Sequence, residues 1–341
     1  MTRHPVSAVT PHSELRTPNS LTTRLLIIGP SNIGDAILAC DVIAAVRRNH
    51  PEGHLTLIVG ERATALFAED PRIQTLVNTD HFRSPASRLK LAWALWRYQP
   101  HVVVDLRHTV YPLLLKPWRA WRYLRQPPQH LAHMRDRHRW KLRTQAPEAD
   151  DREQPMPLWF SERDRAHVEA LWRRWDLTGQ RRVVLMSPGA RSHIKRWTAE
   201  GFAAVADGLI DAGARVVFSG EPDEEAVADE IAGAMRGRAH SLVGLVTIRQ
   251  LGLVMQRVQL AITNDSGALH LASAVDIPTL AIFGPTDPRK YGPTAAASQT
   301  IRRRLFCSPC ERALCRFNHE CMRFIGPDDV LQNALSLLPP A

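Results

Sequence analysis

Asp265, Ser266, Gly267 and His270 fall where an apolar strand gives way to a helix, and that placement makes them candidates for chemistry. Val258 to Thr263 reads as a buried strand, Asn264 to Gly267 as a turn, Ala268 to Val275 as a helix and Pro278 to Phe283 as the next parallel strand. In α/β sheets ligands bind beyond the carboxyl ends of strands. Backbone N–H groups at a helix start carry partial positive charge, so such a turn suits the phosphates of a nucleotide. Ser266 and Gly267 can offer a hydroxyl and backbone N–H groups, and Gly267 lets a diphosphate approach the backbone closely. His270 can touch phosphate or fix the turn. Asp265 would repel phosphate, so its role is to orient neighbouring groups or to bind a sugar hydroxyl. An ordinary capped turn with no ligand is the competing reading.

Three further loops hold reactive side chains after short apolar strands. Arg24 to Ile28 runs into Gly29-Pro-Ser-Asn-Ile-Gly-Asp35, with Asp35 at the start of an amphipathic stretch to Arg48. There a carboxylate can cap the helix or act as a base. Arg182 to Met186 leads into Ser187-Pro-Gly-Ala-Arg-Ser-His-Ile-Lys-Arg-Trp197, where Lys195 is either a solvated cation or a point charge for an anion. Arg215 to Ser219 leads into Gly220-Glu-Pro-Asp-Glu-Glu225, where Glu224 either joins a negatively charged first helical turn or accepts hydrogen bonds from a ribose.

Taken together these segments resemble glycosyltransferase family 9, the ADP-heptose:lipopolysaccharide heptosyltransferases. The family's D-[ST]-G-x-x-H-x-x-A turn corresponds to Asp265 to Ala274, with Asp265, Ser266, Gly267 and His270 at its fixed positions, and F-G-P-T-D-P follows as Phe283 to Pro288. Its P-G-x-x-x-x-x-K-x-W loop is matched from Pro188 to Trp197, its G-x-x-x-E element by Gly220 to Glu224, and its serine-to-Gly-Asp turn by Ser31 to Asp35. The resemblance implies that Asp35 is the catalytic base on an acceptor loop with Ser31, Asn32 and Gly34. It implies that Lys195 meets the leaving diphosphate and that Gly189, Glu224, Asp265, Ser266, Gly267 and His270 bind the donor. It also implies a GT-B fold, two doubly wound Rossmann-like α/β domains facing a central cleft, the acceptor half first.

The rest of the chain is consistent with that organisation. At 341 residues two domains are the default expectation. Strands at Leu55 to Val59, Ile73 to Val77 and Val102 to Asp105 alternate with helical patterns in the first half, and the pattern restarts at Arg182. We expect a disordered tail over 1–22, an acceptor domain over 23–157 ending in a proline-rich linker from Ala146 to Pro157, and a nucleotide-sugar domain over 158–325. A terminal helix within 326–341, from Asp328 to Leu338, is expected to pack back on the first domain. No run of eighteen apolar residues occurs, so no spanning helix is expected, and the first twenty residues lack the apolar centre of a secretory signal.

The formal charge of +10 is concentrated. Nine Lys and Arg residues lie between Lys116 and Arg143 against the single acid Asp136, interleaved with Trp118, Trp121, Tyr123 and Trp140. Such a face is a solvated helical surface or meets an anionic bilayer, a phosphorylated acceptor or nucleic acid; no nucleic-acid motif accompanies it. Cys307, Cys310, Cys315 and Cys321 have spacing C-x2-C-x4-C-x5-C, which allows a structural zinc or iron site, free thiols or partial disulfides. No D-x-D occurs, and diphosphate enzymes that use a divalent cation commonly need paired carboxylates, so metal-independent catalysis without a cofactor is expected.

With the resemblance, the sequence points to an inverting glycosyltransferase that moves heptose from ADP-heptose to a lipopolysaccharide core or related lipid-linked saccharide. Its expected partners are the ADP-sugar, a lipid-linked oligosaccharide and an anionic membrane surface, with no nucleic acid. Its expected location is cytoplasmic, peripheral at the inner face of the bacterial inner membrane. The alternatives are a GT-B enzyme with another nucleotide sugar, a nucleotide-sugar epimerase, or a silent nucleotide-binding module.

Overall fold

The computed structural model describes residues 7–9, 22–149 and 158–340. The chain divides into two units, Met1–Trp159 and Phe160–Ala341. Of the expected linker, Asp150 to Pro157 lies outside the described residues.

The first unit is built on an all-parallel five-stranded sheet. Its strands are β1 (Ser7–Val9), β2 (Arg24–Ile28), β3 (His54–Val59), β4 (Thr75–Asn78) and β5 (Val102–Asp105), in spatial order β1-β4-β3-β2-β5. The expected disordered tail 1–22 is therefore corrected at Ser7–Val9, which adds an edge strand in register with Thr75 to Val77; the unused hydrogen-bonding edge of β4 supplies the reason. Elsewhere the tail lies outside the described residues, except Thr22. Strands β3 and β4 build outward on one side of β2 and β5 lies on the other, so the sheet reverses direction between β2 and β5. Leu26, Ile28, Ile58, Val77 and Val103 pack with Leu91, Leu95 and Tyr98 of helix Pro85–Tyr98 to form this unit's core.

The second unit contains β6 (Val183–Ser187), β7 (Arg215–Phe218), β8 (His240–Ser241), β9 (Leu260–Asn264), β10 (Thr279–Phe283) and β11 (Ser298–Arg302). Their order, β11-β10-β9-β6-β7-β8, is all parallel and reverses between β6 and β9. Every residue of β6, β9 and β10 is buried, which is why these segments read as continuous apolar runs instead of alternating ones. A capping box at Ser161 and Asp164 starts helix Glu162–Arg174, and Asp164 also holds Arg249 at 2.7 Å in a buried ion pair.

The terminal helix, Pro327–Leu337, packs within the second unit. It lies on helix Ala199–Asp211 and on β9, β10 and β11, and Val330, Ala334 and Leu338 belong to the second unit's core. Gly208 permits this contact, because a Cβ there would sit 2.3 Å from Leu331. Its apolar stripe is thus satisfied by its own unit.

Candidate functional site

In the second unit the reversal point of the sheet is where the sequence motifs converge. Ser187 ends β6 level with Thr263 on β9, and the two loops that leave these strands are tied together. The Asn264 amide donates to the Pro188 carbonyl at 2.6 Å and accepts from the Trp197 N–H at 3.2 Å. Trp197 is buried edge-on against Phe202, and its indole N–H donates to the Ile325 carbonyl at 3.1 Å. The Ser187 and Ser219 hydroxyls, 2.6 Å apart, link the ends of β6 and β7. These bonds fix the loop from Pro188 to Trp197, and the short helical turn His193–Lys195 presents Lys195 from it.

The Lys195 ammonium donates to Asp265 Oδ2 at 2.6 Å, and the Thr286 hydroxyl donates to the same oxygen at 2.7 Å. Asp265 is 4% exposed and the lysine side chain 29%. A buried carboxylate with two donors holds the ammonium in place, while the partly exposed ammonium keeps donors for an anion arriving from solvent. Asp265 thus positions a neighbour, as its charge requires. Tyr291 closes the arrangement, with its ring centroid 6.0 Å from the Lys195 ammonium and edge-on to the buried His270 ring at 6.5 Å. Directly after Asp265, Ser266 is the N-cap of helix Gly267–Ala274, in extended conformation and with no side-chain cap bond. Its hydroxyl and the first N–H groups of that helix stand next to the ion pair in the chain.

Glu224 reaches the same loop from β7. A Cβ on Gly189 would lie 2.1 Å from its carboxylate, so only a glycine lets the two meet. Oε2 of Glu224 accepts from the Glu221 N–H at 2.9 Å, closing a capping box around the turn Pro222–Glu224. Glu224 thus caps its turn, and its carboxylate lies on the Gly189 loop. Burial raises its pKa above the ordinary carboxylate value.

In the first unit Asp35 lies in the first turn of helix Ile33–Leu38, whose N-cap is Asn32. The amphipathic stretch to Arg48 is two helices, the second being Cys40–Asn49. Asp35 is consequently not the cap residue, and the Asn32 amide lies 3.5 Å from its carboxylate. Gly60 accommodates Ser31, since a Cβ there would be 2.7 Å from the serine Cβ. Gly34 is the second residue of the helix.

Sequence reasoning missed a buried polar group at this unit's own reversal point. Asp105 ends β5 and accepts from the Arg107 N–H at 2.8 Å and from the Thr109 N–H at 2.6 Å. Gln145 of helix Met134–Gln145 bonds both backbone groups of Asp105, and the Lys141 ammonium donates to the Leu106 carbonyl at 2.6 Å. Burial pulls Lys141 down to about 8. The helix also carries His138, which burial pushes down to about 4. Only a pairing of Lys141 and Gln145 four apart on one helical face hinted at this group. Thr286 and Asn264 lie within the sequence motifs with no role evident there, and Tyr291 lies three residues beyond Pro288.

Of the readings open for the cysteines, the structure has free thiols. Cys307, Cys310, Cys315 and Cys321 all line one cavity of about 480 Å³ and are free thiols. Among the described residues, however, no three His, Cys, Asp or Glu side chains are placed to hold a metal ion. Cys321 lies on helix Glu320–Arg323 against Gly284, and the other three sit on the preceding loop. Burial and the three other thiols push Cys321 up to about 11.

Residues 122–320 match the family model described as glycosyltransferase family 9 (heptosyltransferase). Lipooligosaccharide heptosyltransferase 2 of Campylobacter jejuni serotype O:6 is 24% identical over 93% of this chain and 100% of its own length. Its namesake from Campylobacter jejuni serotype O:2 is 30% identical, over 48% of this chain and 53% of its own length. Among solved structures, that of Escherichia coli ADP-heptose lps heptosyltransferase II superposes with a TM-score of 0.70 at 21% identity, covering 92% of this chain and 98% of that one.

Proposed function

We propose that this chain, which belongs to glycosyltransferase family 9 and is a glycosyltransferase of the GT-B fold, transfers heptose from ADP-heptose to a lipopolysaccharide core or related lipid-linked saccharide. The names of its relatives support the sugar and the acceptor class, and the solved relative's title supports the ADP-linked donor. The observation that carries the reading is the Lys195–Asp265 pair held at the sheet's reversal point beside a helix start. That is the place and the charge a nucleoside diphosphate needs.

In this mechanism the acceptor hydroxyl attacks the anomeric carbon on the face opposite the diphosphate, and Asp35 takes its proton. The bond from that carbon to the diphosphate oxygen breaks as the new one forms, inverting the centre. Its electron pair goes to the departing ADP. Lys195, with the Ser266 hydroxyl and the Gly267 N–H, stabilises the charge that develops there. Glu224 uses its second oxygen to accept from the ribose, while Gly189 leaves the room for it. His270 and Tyr291 shape the floor of the phosphate site. A fixed ammonium in that position and the lack of a D-x-D pair support catalysis without a divalent cation. With a lipid-linked acceptor, the reaction would run in the cytoplasm at the inner face of the inner membrane.

The test is to incubate the purified protein with ADP-heptose and a series of truncated lipopolysaccharide acceptors and to weigh the products. An added mass of one heptose, with the opposite anomeric configuration, is the expected result. Turnover only with a different sugar nucleotide would refute the heptose assignment, and no transfer with any donor would refute the enzyme mechanism.

A further inference from the structure

The first unit presents a second surface whose chemistry the transfer reaction does not use. Helix Pro85–Tyr98 has two apolar faces. Leu91, Leu95 and Tyr98 are buried in the core, whereas Leu89, Trp93 and Trp96, spaced four and three apart, face solvent, with Trp96 59% exposed. The elements packed next to it repeat the pattern. Val110 and Leu114 are exposed at and within helix Tyr111–Leu115, Trp118 is 68% exposed on the turn Pro117–Arg119, and Trp121 and Leu124 are exposed on helix Ala120–Leu124. The elements that carry them pack on one another in chain order. Single exposed apolar residues are ordinary, but a contiguous set of large ones marks an interaction surface.

Its charge identifies the partner. From Phe82 to Met134 the sequence holds nine Lys and Arg residues and one acid, Asp105. Asp105 is 1% exposed, so the exposed charges of this segment are all positive. The cations sit on the aromatic rings: Arg97 lies 4.9 Å from the Trp93 ring, Lys116 5.4 Å from Trp118 and Arg122 5.4 Å from Trp121. Indole rings flanked by cations, with aliphatic side chains between them, match the boundary between lipid headgroups and acyl chains. Nucleic acid would use the charge and leave Leu89, Val110, Leu114 and Leu124 in water. A second copy meeting the same face would bring like charge against like.

We propose that the face formed by Pro85–Tyr98 and 110–125 docks this protein on an anionic bilayer, inserting Trp93, Trp96, Trp118 and Trp121 at headgroup depth. The proposal deepens the membrane location proposed above and does not depend on the donor. Binding to vesicles without heptose transfer would refute only the sugar assignment, and transfer without vesicle binding would refute only the docking surface.

The test is sedimentation of the full-length protein with vesicles of phosphatidylglycerol and phosphatidylethanolamine, against vesicles of phosphatidylcholine. We expect binding to the anionic vesicles at least about tenfold stronger, weakened by salt and accompanied by a blue shift of tryptophan emission. The double variant K90Q/R97Q should lose roughly fivefold in partitioning per charge removed. The variant W93S/W96S/W118S should lose vesicle binding while turning over a soluble truncated acceptor at the wild-type rate, which also shows that it folds. Equal binding to both vesicle types, or none at low salt, would overturn the proposal. So would tighter binding to RNA than to vesicles, or a dimer in which these tryptophans are buried.

Discussion

Strand order reverses in the same way in the two sheets, yet one reversal point presents a partly exposed ammonium and the other buries its polar groups on the β5 side. In the second unit, loops from β6 and β9 bring Lys195 and Asp265 together, with the ammonium partly exposed. In the first, helix Met134–Gln145 packs on β5, where Gln145 bonds both backbone groups of Asp105 and Lys141 donates to the Leu106 carbonyl in the interior. The topology alone therefore creates a place for a ligand, and the following loop decides whether the place is used. A rigid loop pinned by Asn264 and Trp197 leaves it accessible; in the first unit a basic helix fills the β5 side, and the turn leaving β2 carries Asp35 on a helix packed against it.

That contrast can be broken by variants that act on one unit at a time. The largest expected effect is in the first: Asp35→Asn should lower kcat by about 10²–10⁴-fold while ADP affinity stays unchanged, read by steady-state kinetics beside calorimetry. An unchanged kcat removes Asp35 from the role of base. In the second unit Lys195→Met should lower kcat by about 10²–10³-fold. It should also lower the melting temperature, because Asp265 is left buried and keeps only Thr286 as a partner; Lys195→Arg should recover part of both. Gly189→Ala, which forces a methyl into the Glu224 carboxylate, should raise the donor KM about tenfold, the loss of roughly one hydrogen bond, with kcat nearly unchanged.

The smallest effect near neutrality is confined to the first unit. His138 is buried and its pKa falls from 6.5 to about 4. The unfolded chain therefore binds a proton that the folded one refuses. Stability is full above pH 6.5, declines as pH falls, and reaches its largest loss, about 3 kcal/mol, below pH 4. Thermal melts across that window should flatten in His138→Gln, and an identical slope in the variant would assign the acid loss to other groups.

The second unit was the more legible of the two for a physical reason. Its site is made of residues whose type is dictated by backbone geometry or by charge within short motifs, such as Gly189 against Glu224 or the turn at Ser266 and Gly267. Buried parallel strands read directly as apolar runs. What escaped were partners that touch across long separations, such as Thr286 on Asp265, Lys141 on Leu106, and Ser7–Val9 on β4. The terminal helix showed its apolar stripe but not its partner, because that depended on the bare backbone at Gly208. Tyr123 is the opposite case: interleaved with basic residues, it suits a surface or a core equally in the sequence, and it is a core residue with its hydroxyl donating to Val103 at 3.3 Å.

The central claim is that the open reversal point of the second unit takes the diphosphate of ADP on a fixed ammonium and a helix start. Calorimetric titration of the wild-type protein with ADP, with and without EDTA, tests it most directly. The account predicts one ADP per chain with the same Kd in both conditions. Binding that vanishes with the chelator, or no ADP binding in either buffer, would contradict it.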